Sequence, residues 1–169
     1  MNELIGKRAL VTGSKSGIGF AIAKRLAQAG AEIILHARSN SSEVEEAQIK
    51  LAKIAKADIA TVFEDFSAPN SCRSIFETIK KEEKPIDILV NNAAIQPVRA
   101  LADLAPAEIS QMLETNLQAP IMMTRCFAEC EKSLGRRTHW GRRGNWHYSA
   151  SANDPYRQSS STRPWRAFH

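Results

Sequence analysis

The 169-residue sequence has no long apolar run. Nothing in it approaches the roughly 20 consecutive apolar residues of a membrane-spanning helix. Its start, MNELIGKRALVTG, lacks the charged-then-apolar pattern of a secretory leader. The expected location is therefore the cytoplasm, with no membrane as partner. Cysteine is scarce and odd in number: Cys72, Cys126 and Cys130, with no CxxC spacing. That argues against a disulfide framework and for free thiols in a reducing compartment. No His/Cys cluster has metal-ligand spacing, so no metal is expected; Cys126 and Cys130 are better read as sharing a helix face. Lysine is absent after Lys132. Ile, Val and Met are absent after Ser133, and Leu134 is the last leucine.

These last absences divide the chain. The formal net charge of +5 looks like a signal for nucleic acid until it is split. Residues 1–133 carry 16 Lys and Arg against 17 Asp and Glu, a balance of −1. Residues 134–169 carry seven Arg against Asp154 alone, a balance of +6. Trp140, Trp146 and Trp165 also fall in this second part. The chain reads as one domain over 1–133 followed by a basic tail over 134–169. The tail has too little aliphatic surface to offset its ordering entropy, and is expected to be disordered or irregular.

In the first part, strand and helix patterns alternate. RALVT (8–12), EIILHA (32–37), IATVFE (59–64) and IDILV (86–90) are strand-like. Between them, Ser16 to Ala29 has apolar residues at helical spacing and ends at Gly30. Ser41 and Ser42 can cap a helix reaching about Lys56. A third helix runs from about Pro69 to Glu83. Pro106 suits the first turn of a long helix reaching about Lys132, which Pro120 should bend or break. This order predicts an α/β fold, a doubly wound Rossmann-type parallel sheet of about four strands with helices on both faces. Ligands of such sheets sit beyond the carboxyl ends of the strands, here at loops 12–17, 37–40, 65–68 and 91–98.

The first of those loops is Thr12-Gly13-Ser14-Lys15-Ser16-Gly17-Ile18-Gly19. It leaves a strand and opens a helix. Gly13 allows a tight turn, Gly17 lets the backbone approach a pyrophosphate, and Gly19 lets the helix pack closely on the strand. The helix N-terminus then presents free N–H groups and a positive dipole end to phosphate. TGSKSGIG resembles the TGxxxGIG cofactor loop of the short-chain dehydrogenase/reductase family. Asn91-Asn92-Ala93-Ala94 resembles that family's Asn-Asn-Ala-Gly stretch, with Ala94 in place of glycine. Asp65 matches the family's aspartate at the adenine. Asn116 matches an asparagine that supports a water-linked proton relay to the catalytic lysine. The likeness covers about residues 5–133. It implies a nicotinamide-dependent oxidoreductase acting on a small-molecule alcohol or carbonyl, with cofactor contacts from Thr12, Gly13, Ser14, Lys15, Gly17, Ile18, Gly19, Arg38, Asp65, Asn91 and Ala93. Asn116 is the one catalytic residue so implied. Gln96 to Ala100 can border a substrate or be loop filler. Family members are commonly dimers or tetramers, which leaves a homo-oligomer open.

Charge selects the cofactor. An acid after the second strand would hold the ribose 2′-OH of NAD, whereas a cation there accommodates the 2′-phosphate of NADP. Here Ala37 takes the acidic position and Arg38 follows, with Lys15 on the same side. Arginine can grip a phosphate with two parallel hydrogen bonds. NADP(H) rather than NAD is expected.

The second half of the family's chemistry is missing. Its members protonate the alkoxide from a tyrosine whose pKa a nearby lysine lowers, and a serine hydrogen-bonds the substrate oxygen. HYSASA (147–152) supplies Tyr148 but has Ala152 at the lysine position; four residues after Tyr156 stands Ser160. Neither tyrosine is assigned the catalytic role. The segment SLGRRTHWGRRGNWH shows no strand pattern, so the fourth strand is expected to be a sheet edge without a neighbour. Arg, Trp, Gly, Ser and Pro without aliphatics are what a GC-rich gene yields when read out of frame. The chain is thus expected to be a truncated or frameshifted oxidoreductase, inactive as it stands. The alternatives are a non-catalytic nucleotide-binding or regulatory module, and nucleic-acid binding through the tail's Arg, Trp and Tyr. No motif organises the tail's charge, so nucleic acid is the least favoured partner.

Overall fold

The computed structural model describes residues 3–55, 58–82, 84–135, 137–140 and 146–150. Strand β1 (Arg8–Val11) is followed by α1 (Gly17–Gln28), β2 (Glu32–Ala37), α2 (Ser42–Ala52), β3 (Ile59–Phe63), α3 (Ser71–Lys80) and β4 (Ile88–Val90). A 3-10 turn (Leu101–Asp103) then leads to α4 (Pro106–Leu113), a π-helical segment (Glu114–Gln118) and α5 (Ala119–Ser133). β1 to β4 form a parallel sheet in the order β3-β2-β1-β4. Leu10 of β1 pairs with Ile34 of β2 on one side and Leu89 of β4 on the other.

The alternation of side chains along the strands sorts the core into two layers. Leu10, Ile34, Val62 and Leu89 pack against Ile75 and Phe76 of α3 and Met123 and Phe127 of α5. Ala9, Val11, Ile33, Leu35 and Ile88 pack against Ala23 and Ala27 of α1 and Ala47 and Leu51 of α2. Helices therefore cover both faces, which is why β1 reads as a continuous buried run instead of an alternating one. This is the doubly wound architecture expected from the sequence.

The expected break at Pro120 is present. Proline has no N–H to offer the carbonyl four residues earlier, that of Asn116. The π-helical segment absorbs the interruption, and Pro120 falls in the first turn of α5. The Ser41 cap takes another form. Its Oγ makes no cap bond, and the Ser41 carbonyl accepts from Val44 and Glu45 N–H instead. The hydroxyl itself is buried and without a hydrogen-bond partner.

The expectation of an unpaired sheet edge at β4 is corrected. β5 (Arg137–Trp140) and β6 (Trp146–Ala150) add an antiparallel hairpin to the open edge of β4, with Ile88 opposite Tyr148 and Val90 opposite Trp146. β4 is thus not an unpaired edge. An open strand edge offers rows of N–H and C=O groups that any extended backbone can satisfy, so this pairing needs no aliphatic side chains. The rest of the expected tail, 151–169, lies outside the described residues. Among the described residues no helix is long and apolar enough to cross a membrane.

Candidate functional site

The loops at the carboxyl ends of β1 to β4 enclose a cavity of about 490 Å³. Of the residues singled out from sequence, Gly13, Lys15, Arg38, Asp65 and Ala93 line it. The wall is built by a junction between two loops some 80 residues apart. The Thr12 hydroxyl accepts N–H bonds from Asn92 (2.9 Å) and Ala93 (3.0 Å) and donates to the Val90 carbonyl (3.3 Å). The Asn92 amide donates to the carbonyls of Thr12 (2.9 Å) and Gly13 (3.1 Å).

The glycines divide by what surrounds them. A Cβ on Gly13 (φ +62°) would lie 2.8 Å from the Ala93 Cα, and one on Gly19 would lie 2.4 Å from both the Gly13 carbonyl oxygen and the Asn92 amide nitrogen. Gly17 (φ +57°) has nothing within 4 Å of that position. Close packing thus holds the loop at both ends and leaves the middle open at the start of α1, beside the exposed Ile18. A shallow cradle with a helix N-terminus at its rim suits a phosphate approaching along the backbone.

Three expected site residues do structural work here. Ser14 is fully buried: its hydroxyl donates to the Val11 carbonyl (2.7 Å) and accepts the His36 N–H (3.1 Å). Its own N–H donates to the His36 carbonyl (3.1 Å), so neither group is left for a ligand. Asn91 donates to the Thr124 hydroxyl (3.2 Å) and ties the end of β4 to α5. Asn116, in the π-helical segment, makes a two-way bond with Ile95, accepting its N–H and donating to its carbonyl, each at 2.8 Å. It holds the loop after β4 in place.

The charged groups sit at the mouth. Arg38 is exposed just beyond β2, and Lys15 is ion-paired with Glu43 of α2. The Asp65 carboxylate is held below its usual range, first by the Ser67 N–H and then, against the opposing effect of burial, by the Ser67 hydroxyl, Arg38 and His36. Asn92, Ser41, Phe66 and His36 also line the cavity, although the sequence motifs do not single them out as site residues. His36 is buried and lowered to about 4 by desolvation, which outweighs the upward pull of Glu64 and Asp65. The signal for it was a single polar residue near the end of an otherwise apolar strand.

A model of the short chain dehydrogenase family matches residues 7–141, most of the chain. The chain belongs to the short chain dehydrogenase family. Gluconate 5-dehydrogenase of Gluconobacter oxydans is 36% identical over 135 residues, 79% of this chain and 52% of that protein. Dehydrogenase/reductase SDR family member 4 of Homo sapiens is 37% identical over 136 residues, 79% of this chain and 48% of that one. Two solved structures are similar: a short chain dehydrogenase from Burkholderia cenocepacia in complex with NADP (TM-score 0.70, 32% identity, 76% of this chain, 52% of that) and L-sorbose reductase from Gluconobacter frateurii with NADPH and L-sorbose (TM-score 0.71, 30% identity, 80% and 51%). The chain spans about half the length of the relatives it matches. Its match runs eight residues past Ser133, into the segment that forms β5.

Proposed function

We propose that this chain is the NADP(H)-binding half of a short chain dehydrogenase, and that as it stands it holds the nucleotide without turning over an alcohol or carbonyl. The observation that carries this is the glycine cradle: closed at Gly13 and Gly19, open at Gly17, and set beside a cavity whose mouth holds Arg38 and Lys15. The pyrophosphate would lie over Gly17 and the start of α1. Asp65 would meet the adenine. Arg38 and Lys15 would take the 2′-phosphate. NADP and NADPH occupy the Burkholderia and Gluconobacter frateurii proteins named above, which supports this choice of cofactor.

The reading of inactivity rests on the second half of the site. NADPH, when bound, would supply a hydride, and the chain would then have to supply a proton to the substrate oxygen. Asn116 is present, but the sequence holds no lysine after Lys132. Tyr148 lies on β6 opposite Ile88, within the sheet and not at the start of a helix that could pair it with a lysine one turn later. Position 152 lies outside the described residues.

Fluorescence titration with NADPH and NADH tests the binding. NADPH should bind the tighter, and Arg38→Ala should weaken NADPH about tenfold while leaving NADH unchanged. Equal binding of the two by the unmodified chain would remove the assignment of Arg38. Reading the coding DNA from the Thr124 codon onward tests the rest. A single lost or gained base that restores a serine-bearing strand and a Tyr-x-x-x-Lys would make the tail an out-of-frame product. An uninterrupted frame with no such pattern behind it would leave a nucleotide-binding module.

A further inference from the structure

The ring of His36 bridges the two halves of the cavity wall. It lies one residue from the end of β2, and a partner with a single hydrogen-bonding role meets each ring nitrogen. Nε2 is 3.1 Å from the Glu64 carbonyl, which can only accept, so Nε2 carries the proton. Nδ1 is 3.2 Å from the Gly13 N–H, which can only donate, so Nδ1 is bare. Both partners are backbone groups, and together they leave one tautomer of the neutral ring. The face of the ring stacks on Phe66 at 4.6 Å between centroids. The His36 backbone adds two bonds to Ser14. One residue therefore joins the glycine loop after β1 to the Glu64–Phe66 segment after β3, and both border the same cavity.

We infer that His36 is a positioning residue of the nucleotide site: its neutral ring holds the Gly13 turn and the Glu64–Phe66 wall as one unit. This rests on the nucleotide-binding reading above. Gly13 is where the loop reverses with a left-handed φ, and its N–H would otherwise be free to swing toward the cavity. By accepting that N–H, Nδ1 sets the orientation of the Gly13 peptide and hence the path of Ser14 to Gly17. By donating to Glu64, Nε2 sets where Asp65 begins. Protonation would place an N–H on Nδ1 against the Gly13 N–H, two donors facing each other, and the turn would have to move. The charged groups around the ring are Glu64 and Asp65 after β3, Arg38 after β2 and Lys15 in the glycine loop. Burial disfavours the protonated ring and outweighs Glu64 and Asp65, which favour it, so the ring is neutral at physiological pH.

Two readouts on the full-length chain test this. The first is NADPH titration of wild type, His36→Leu and His36→Asn at neutral pH and at steps down to about pH 4.5. His36→Leu should weaken NADPH about tenfold, while His36→Asn, whose Oδ1 can still accept the Gly13 N–H, should stay within about threefold. The wild type should lose affinity on acidification more steeply than His36→Asn. The difference between the two cancels titration of the 2′-phosphate, and a merely structural role would not produce it. The second is ¹⁵N NMR without nucleotide. The ring should show the Nε2–H tautomer, and the Gly13 and Asp65 amide signals should move with the His36 titration. Equal NADPH binding by wild type and His36→Leu, or Gly13 and Asp65 amides indifferent to the ring's protonation, would overturn the inference. Loss of NADPH binding in the wild type with the amides still coupled to the ring would instead remove the nucleotide reading and leave His36 as the brace of these two loops.

Discussion

Replacing Gly19 by alanine separates the two physical roles assigned to the glycine loop. Gly19 lies in the first turn of α1, so helix propensity alone favours the change by about 1 kcal/mol. The surroundings oppose it. The new methyl would sit 2.4 Å from the Gly13 carbonyl oxygen and 2.4 Å from the Asn92 amide nitrogen. One obstacle is backbone and the other is a side chain held by two hydrogen bonds, so neither can swing aside freely. Overpacking of this kind costs about 3 kcal/mol. Displacing Asn92 forfeits bonds to Thr12 and Gly13 at about 1 kcal/mol each. The net expectation is a loss of about 4 kcal/mol, a large part of a small domain's stability. Gly17→Ala makes the contrast. It meets open space and costs only the left-handed strain, about 1–2 kcal/mol, yet it puts a methyl where the pyrophosphate would approach. Urea unfolding followed by circular dichroism measures both stabilities, and NADPH titration measures the cradle. A Gly19→Ala chain with the wild-type midpoint would refute the packing argument. A Gly17→Ala chain that binds NADPH normally would refute the placement of the phosphate.

Further outcomes follow from the same geometry. Thr12→Val keeps the shape of a fully buried side chain but strips the acceptor from the Asn92 and Ala93 N–H groups, and should cost about 2–3 kcal/mol in the same urea assay. His36 is neutral when folded and has its pKa lowered to about 4, so the stability it contributes is complete above about pH 6.5 and falls as pH drops toward 4. The total lost is about 3 kcal/mol, and His36→Asn should flatten the stability profile in that window. Burial pushes the thiols of Cys72, Cys126 and Cys130 up, so a thiol reagent at neutral pH should react slowly with the native chain. The same three thiols should react rapidly once denaturant is added.

Short-range information made the parallel half of the fold legible. The apolar runs of β1 and β2, the helical spacing of Ile22 and Leu26, and the stop at Gly30 are all set within a few residues, and each survived into the structure within a residue or two. Element ends were less secure. The apolar pattern of β4 begins at Ile86, but the strand is a ladder only from Ile88 on. Asp87 marks the reason: its carboxylate accepts the Arg8 N–H (3.0 Å) and its own N–H donates to the Arg8 carbonyl (2.8 Å), a polar closure at the amino end of the sheet. In the cofactor loop, motif spacing identified the residues but not the direction of their side chains. Ser14 and Asn91 look like ligand groups in sequence; in the structure their side chains bond to the Val11 carbonyl and the Thr124 hydroxyl.

The sequence by itself determined the order of strands and helices, the place of the glycine turn, the cation after β2 and the want of a lysine in the tail. These follow from residue type and local periodicity, which need no partner elsewhere in the chain. Only the tertiary structure decided what each polar group is bonded to. Thr12 meets Asn92 across 80 positions of sequence, and His36 meets Gly13 and Glu64 across 23 and 28. The same is true of the hairpin on β4, whose backbone pairs because an open edge was there to receive it. Hydrogen bonds of this kind are set by which strand ends lie side by side, and the order β3-β2-β1-β4 exists only once the sheet has formed.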